Sequence, residues 1–288
     1  MADTIAQAAP TYERTVVPDA VTSDAVTFDA GAIHLASGEA ATVDVEVPVD
    51  AGGSVTIKAG DGSKLEVSLP DEVTVADAQV ADDGTVVYTD TGADAHAAVQ
   101  TLDDGSVRLQ TILESDDASK TFTCGLGDVI PVLLDDGSVE LTQEVADGIL
   151  TVVGTVDAPW AIDANGERVN TWYTVGGNEL VQHVNPTADA VYPITADPKI
   201  TRAWWNTTIY VNRNETALLA GGYNLAAAGL LVIPEGVSKV LAAVVAGGAA
   251  YISTVHGMGK CLKAVSYGHL TTPVLQPYWG AEAGYDCR

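Results

Sequence analysis

The stretch NRNETALLAGGYNLAAAGLLVIPEGVSKVLAAVVAGGAAYISTVHGMGKC, residues 212–261, decides how the chain is read, because from Thr216 to Gly259 it holds only two charged residues, Glu235 and Lys239. Asn212 and Glu215 have the N-cap to N3 spacing of a capping box, in which the asparagine oxygen accepts one backbone N–H and the glutamate reaches back to another. A helix is predicted to start there. Its body, Thr216 to Val232, is rich in Ala, Leu and Gly and apolar on every face, until Pro234-Glu235-Gly236 interrupts it. A second helix is predicted from about Ser238 to about His256, closed by Gly257 and Gly259. The pair reads as a helical hairpin.

A helix apolar all round must be buried in protein or in lipid. Each arm has roughly 17 to 19 apolar or small residues, just short of the ~20 that span a bilayer core, so length leaves both readings open. Ala243 and Gly247, four apart, would let two helix backbones approach closely in either setting. On the membrane reading, the lipid-contacting residues are Trp204, Trp205 and Tyr210 ahead of the hairpin, Leu230, Leu231, Val244 and Val245 within it, and Lys260 and Lys263 behind it. On the other reading the hairpin is plain hydrophobic core.

The 288 residues suffice for about two domains at roughly 150 residues each. From Lys199 onward there are 7 basic and 4 acidic residues, which leaves 6 of the 13 basic and 35 of the 39 acidic residues in the part before it. So negative a field excludes nucleic acid as a partner of the first part. The C-terminal part is mildly cationic, which suits an anionic bacterial membrane or another cell-envelope component. Nothing in the sequence fixes the oligomeric state.

Of the three cysteines, Cys261 follows the hairpin directly and Cys287 is the penultimate residue, so a bridge between them would tie the tail onto the hairpin and restrict the unfolded chain by ~3 kcal/mol. Cys124 is left over, either a small buried strand residue or a partner for another chain. The first residues have neither a basic n-region nor an apolar h-region. With a disulfide, the consistent expectation is a secreted protein whose signal peptide has already been removed.

Ahead of the hairpin the pattern is β. Residues 1–24 carry Pro10 and Pro18 with little periodicity and are expected to be a loose leader. Thr42 to Val47 and Ser63 to Leu69 alternate with period two, as half-buried strands do. A turn recurs at Asp61-Gly62-Ser63, Asp83-Gly84-Thr85, Asp104-Gly105-Ser106 and Asp136-Gly137-Ser138, with Asn165-Gly166 serving the same end. The predicted hairpins pair Ala98–Leu102 with Val107–Leu113, Pro131–Leu134 with Val139–Thr142, and Val169–Val175 with Glu179–Val184. Only Asp90 to Ala98 offers a short helix, and a break between two β units is placed near residues 90–97. The expected class is α+β: a β-rich sandwich or meander over residues 25–198, then a small C-terminal α-helical hairpin domain over residues 199–288.

The acidic turns Asp82-Asp83-Gly84, Asp103-Asp104-Gly105 and Asp163-Ala164-Asn165-Gly166 lack the spaced carboxylates of an EF-hand loop and read as turn chemistry, with no metal and no cofactor expected. No nucleophile elbow, zinc motif or dinucleotide- or phosphate-binding loop is present, so no catalytic residue is assigned and no enzyme is expected. His34, His96 and His183 fall on separate strands or loops, and His256 ends the second helix.

Val191-Tyr192-Pro193-Ile194-Thr195-Ala196-Asp197-Pro198 carries two prolines at the point where charge and composition switch, and is predicted to be a linker. With Ala158-Pro159-Trp160-Ala161-Ile162-Asp163-Ala164-Asn165-Gly166 and Asn178-Glu179-Leu180-Val181-Gln182, it resembles the end of a precursor region in secreted modular proteins of high-GC Gram-positive bacteria. The second half resembles them too, in Ile209-Tyr210-Val211-Asn212-Arg213-Asn214-Glu215-Thr216, an apolar hairpin, Cys261-Leu262-Lys263 and a tail closing on Cys287-Arg288. The resemblance covers about Asp94 to Arg288 and implies export and a modular build rather than a reaction. The function expected is that of a secreted, non-enzymatic, bacteriocin-like protein whose acidic carrier restrains a membrane-active hairpin. The rival is an extracellular binding or adhesion protein, which predicts a broad exposed aromatic or apolar patch on the sheets.

Overall fold

The computed structural model describes residues 15–34, 40–59, 63–76, 78–90, 92–202, 206–222, 235–267 and 273–278. Trp204, Trp205, Leu230, Leu231 and Cys287 lie outside the described residues. The chain forms two compact units, one of Met1–Ile33, Ala41–Val139 and Thr155–Arg202, the other of His34–Ala40, Glu140–Gly154 and Ala203–Arg288. The protein is β-rich.

The strands of the acidic part are β1 (Ala20–Val21), β2 (Ala25–His34), β3 (Ala40–Pro48), β4 (Ser54–Ala59), β5 (Lys64–Ser68), β6 (Gln79–Val80), β7 (Val86–Tyr88), β8 (Ala95–Thr101), β9 (Val107–Leu113), β10 (Thr121–Gly125), β11 (Ile130–Leu133), β12 (Val139–Ala146), β13 (Ile149–Val156), β14 (Trp160–Ile162), β15 (Asn170–Gly176), β16 (Glu179–Asn185), β17 (Ile194–Asp197) and β18 (Lys199–Arg202). In the first unit β1 to β5 pair in chain order. The period-two reading holds there: Val43, Val45 and Val47 of β3 and Leu65 and Val67 of β5 are buried, while their neighbours Asp44 and Lys64 are exposed. A second sheet has β9 paired with β8, and β17 and β18 both on the other side of β9. The three-stranded sheet β10-β16-β15 packs Phe122 and Val184 with Ala95, Leu113, Ile194 and Ala196 of β8, β9 and β17.

Two expectations fail here. Ala95 to Ala98 is not helical but the start of β8, every residue of which is buried. The stretch predicted to be a linker holds β17, also buried throughout and paired with β9 and β14. Composition misled in both places, because a strand covered on both faces loses its alternation and reads as an arbitrary short apolar run.

Asp61-Gly62 lies outside the described residues, and the acidic turns at Gly84, Gly105 and Gly137 share one geometry. Gly84, Gly105 and Gly137 donate to the carbonyls of Ala81, Leu102 and Leu134 at 3.0 Å, and those three residues donate in turn to the carbonyls of Thr85, Ser106 and Ser138 at 2.8–2.9 Å. Each is a three-residue loop, a tight turn followed by one left-handed glycine, with φ of 89°, 77° and 86°. The aspartate before the glycine fixes the loop by accepting the N–H two residues on, at 3.0, 2.9 and 3.0 Å for Asp83, Asp104 and Asp136. The Ser138 hydroxyl and N–H hold the Asp136 carboxyl below the ordinary carboxylate range.

The second unit adds β19 (Asn206–Val211), α1 (Arg213–Ala220), α2 (Glu235–Gly257), β20 (Cys261–Tyr267) and β21 (Val274–Tyr278). It is not a helical hairpin alone. β13 pairs with β12 and β19, and β19, β20 and β21 continue as an antiparallel sheet. Both helices lie on one face of it, with Leu219, Val237, Leu241, Val244 and Ile252 against Ile149, Ile209, Val211, Leu262 and Ala264. Burial on α2 recurs every three or four residues, at Val237, Leu241, Val244, Gly248, Ile252 and Val255, as it does on a helix with one packed face. The opposite face exposes Ala242, Ala246, Ala249 and Ala250. An exposed methyl costs little, and Lys239, Ser253 and Thr254 are exposed on the same helix. A close approach falls at Gly248, where an added Cβ would lie 2.8 Å from Leu275 Cδ1.

The N-cap is as predicted, with Glu215 N–H donating to Asn212 Oδ1 at 2.8 Å. The return half of the box differs: the Asn212 N–H donates to the Gly148 carbonyl at 2.8 Å. α1 ends earlier than predicted, at Gly221-Gly222, where Gly222 takes a φ of 78° and donates to Leu219.

Candidate binding surface

The hairpin β15-β16 puts two adjacent aromatic residues on opposite faces, as period two requires. Tyr173 turns inward and is 3% exposed, whereas Trp172 turns outward and is 43% exposed. Opposite Trp172 in the register stands His183, and the two rings stack at 5.1 Å between centroids with 13° between their planes. A contact between Thr174 Oγ1 and His183 Nε2 at 2.8 Å fixes the imidazole from the neighbouring position. The indole is thus held on a rigid sheet by a cross-strand ring and carries a broad apolar face in water.

The rest of this outer face follows from the registers of β10, β16 and β15. It carries Asn170 and Thr174, Val181 and Asn185, and Thr121 and Thr123, with Glu179 at the turn end. Glu72 accepts from both the N–H and the hydroxyl of Thr123, at 2.7 and 2.8 Å. No lysine or arginine occupies the outward register positions of these three strands. The inner face carries Phe122, Cys124, Tyr173, Leu180, Gln182 and Val184, all buried.

Cys124 is free and buried, and burial pushes its thiol up to about 12. Since only the thiolate attacks, a thiol reagent at pH 8 should leave Cys124 unlabelled in the native protein and label it in urea. Mass spectrometry of the two samples checks this, and rapid native labelling would show that β10 opens.

A cavity of about 290 Å³ is lined by Asp163, Asn165, Glu167, Arg168 and Asp189 among others. Its acidity does not make Asp163 a free ligand. Oδ2 accepts the Val191 N–H at 3.0 Å, and Oδ1 accepts the N–H groups of Asn165 and Glu167, each at 2.9 Å. These bonds, that from Val191 foremost, hold the carboxyl below its ordinary range. With the aspartates of the acidic turns held by backbone N–H groups, the thermal midpoint should not move between EDTA and millimolar calcium, because a ligand of the native state alone raises stability by RT ln(1 + [L]/Kd). A rise of roughly ten degrees in calcium would contradict this.

The described residues expected to meet lipid are arranged otherwise. Tyr210 and Val244 are 3% and 1% exposed, so both are covered by protein. Lys263 Nζ binds Glu140 Oε1 at 2.8 Å and donates to Tyr210 Oη at 2.7 Å, while that hydroxyl donates to Glu140 Oε2. The cation is thereby neutralised within its own unit. Val245 and Lys260 are half-buried. Among the described residues no single helix is long and apolar enough to cross a membrane; Val237–Ala246 and Gly248–Gly257 qualify only as a pair, by length and composition. Cys261 is fully buried at the start of β20.

Sequence reading did not single out Trp172. The available signal was Trp172-Tyr173 inside an alternating strand, which forces one of two aromatics outward without saying which.

No protein-family model and no curated protein matches the sequence. Among solved structures, the heparan sulfate lyase HepC from Pedobacter heparinus is similar at a TM-score of 0.36 and 9% identity, over 93% of this chain and 43% of that one. The chain spans less than half the length of that protein, and a likeness this slight carries no argument about fold or activity.

Proposed function

We propose that this protein is an extracellular, non-enzymatic binding protein that attaches to a cell-envelope component through the outer face of β10-β16-β15. In this reading the helical hairpin of α1 and α2 is the hydrophobic core of its own unit, and a Cys261–Cys287 bridge closes the tail onto it. The observation that carries the reading is Trp172, 43% exposed yet fixed by its stack on His183. A large apolar side chain held rigid in water is what an interface anchor looks like before its partner arrives, since little side-chain entropy remains to be lost on binding. Co-sedimentation of the purified protein with a Gram-positive cell-envelope fraction tests it. Wild type should sediment and Trp172→Ala should remain in solution; sedimentation of both, or of neither, would overturn the assignment.

The bacteriocin-like alternative keeps one observation, the outward face of α2, where Ala242, Ala246, Ala249 and Ala250 are exposed beside Tyr251 at 41%. It requires dye release from anionic vesicles at micromolar protein.

A further inference from the structure

We infer that the ligand of the Trp172 surface is an uncharged polysaccharide, whose sugar rings lay their C–H faces on the indole while their hydroxyls bond to the threonine and asparagine side chains around it. This rests on the binding reading above and names its ligand. Three features of the surface select the class.

The first is shape. Trp172 uses one ring face for His183 and lies, 43% exposed, on β15, the edge strand of the β10-β16-β15 sheet. A flat apolar wall at a sheet edge suits the axial C–H face of a pyranose. It does not suit an extended peptide, which would need hydrogen bonds from the strand edge and pockets for alternate side chains. The second is hydrogen-bonding chemistry. Asn170 and Thr174 on β15, Asn185 on β16 and Thr121 on β10 share the outer face with the rings. Amides and hydroxyls both donate and accept, which matches sugar hydroxyls that do the same.

The third is charge. The part of the chain before Lys199 holds 35 acidic and 6 basic residues, and the outward register positions of these strands carry no lysine or arginine. An anionic polymer would be repelled on approach and would find no lysine or arginine at those positions. A quaternary ammonium group is attracted by the field but is recognised by a cage of several aromatic faces, whereas here one of the two rings is already committed to the other.

The test uses the full chain on chitin, cellulose, a β-glucan and an α-glucan, with polygalacturonate as the anionic arm and choline chloride as a soluble competitor. At least one neutral polysaccharide should retain the wild type. Trp172→Ala should weaken that retention at least tenfold and His183→Ala several-fold, with Trp172→Phe between wild type and Trp172→Ala. Trp172→Ala should lower the thermal midpoint by no more than about four degrees, which separates lost binding from lost folding. Retention by polygalacturonate alone, displacement by choline, no retention by any neutral polysaccharide, or retention indifferent to Trp172→Ala would each overturn the inference. Envelope binding that depends on Trp172 while every neutral polysaccharide fails would sink the saccharide and leave the binding reading standing. Absence of envelope binding would sink that reading, and the polysaccharide arms would then decide the inference alone.

Discussion

Replacing Arg108 with methionine is expected to destabilise the first unit by about 3–5 kcal/mol at pH 8, and by clearly less at pH 5. Arg108 is 1% exposed on β9, with Nε 3.3 Å from Asp197 Oδ2 of β17. Nη1 donates to Gln100 Oε1 at 3.4 Å, and the Gln100 amide donates to Thr85 Oγ1 at 3.2 Å. Burial pushes the Asp197 carboxyl up to about 7 from 3.8, with Arg108 pulling it back down. A carboxyl raised by folding contributes its stability in full below its unfolded pKa near 4, and loses it as pH rises through about 7. The native protein should therefore lose stability through this group between about pH 4 and 7. Without Arg108 the carboxyl rises further and its ionisation costs more, so the gap between variant and wild type widens with pH. The double variant Arg108→Met, Asp197→Leu should recover most of the loss, since it leaves no buried charge behind. Urea denaturation at the two pH values measures all of this. An equal loss at pH 5 and pH 8 would mean that Arg108 matters for its bulk and not for its charge.

Gly148→Ala should cost about 1.5–4 kcal/mol, a large effect for one methyl group on a turn. Gly148 has a φ of 73°, where a side chain costs about 1–2 kcal/mol. Its added Cβ would lie 2.0 Å from Asn212 Nδ2 and 2.5 Å from Asn212 Cγ, displacing the side chain that caps α1 at a further ~0.5–2 kcal/mol. The same glycine accepts the Asn212 N–H through its carbonyl, so turn and cap are one structure. Asn212→Ala alone should cost about 1 kcal/mol, and the double variant less than the sum of the two, because alanine at 212 removes the clash. Strict additivity would show that the turn and the cap are independent.

The contrast between these two sites says where sequence reading reached. Asn212 and Glu215 were legible because a capping box is written in adjacent residues, but the partner of the Asn212 N–H sits 64 positions earlier, at Gly148. The Asp-Gly turns at Gly84, Gly105 and Gly137 were legible as turns, since glycine readily adopts the left-handed φ they take. Their three-residue form, with the second aspartate pinned to the N–H beyond the glycine, follows from strand pairing that no local pattern states. Trp172 was visible as an aromatic in an alternating strand; that it faces water, stacked on His183, depends on the register between β15 and β16.

By itself the sequence determined the β-rich character of the acidic part, the half-buried alternation of β3 and β5, the turn positions and the start of α1, because each is set by propensity, period or a contact within a few residues. Tertiary structure alone decided the rest. It made 194–197 a buried strand rather than a linker, paired Lys263 with Glu140 and Tyr210 instead of leaving it for lipid, and gave the apolar stripe of α2 a sheet to lie on. The physical reason is common to all three: burial depends on which distant segment covers a residue, and an apolar or charged side chain reads the same in sequence whether its partner is a strand, another side chain or a membrane.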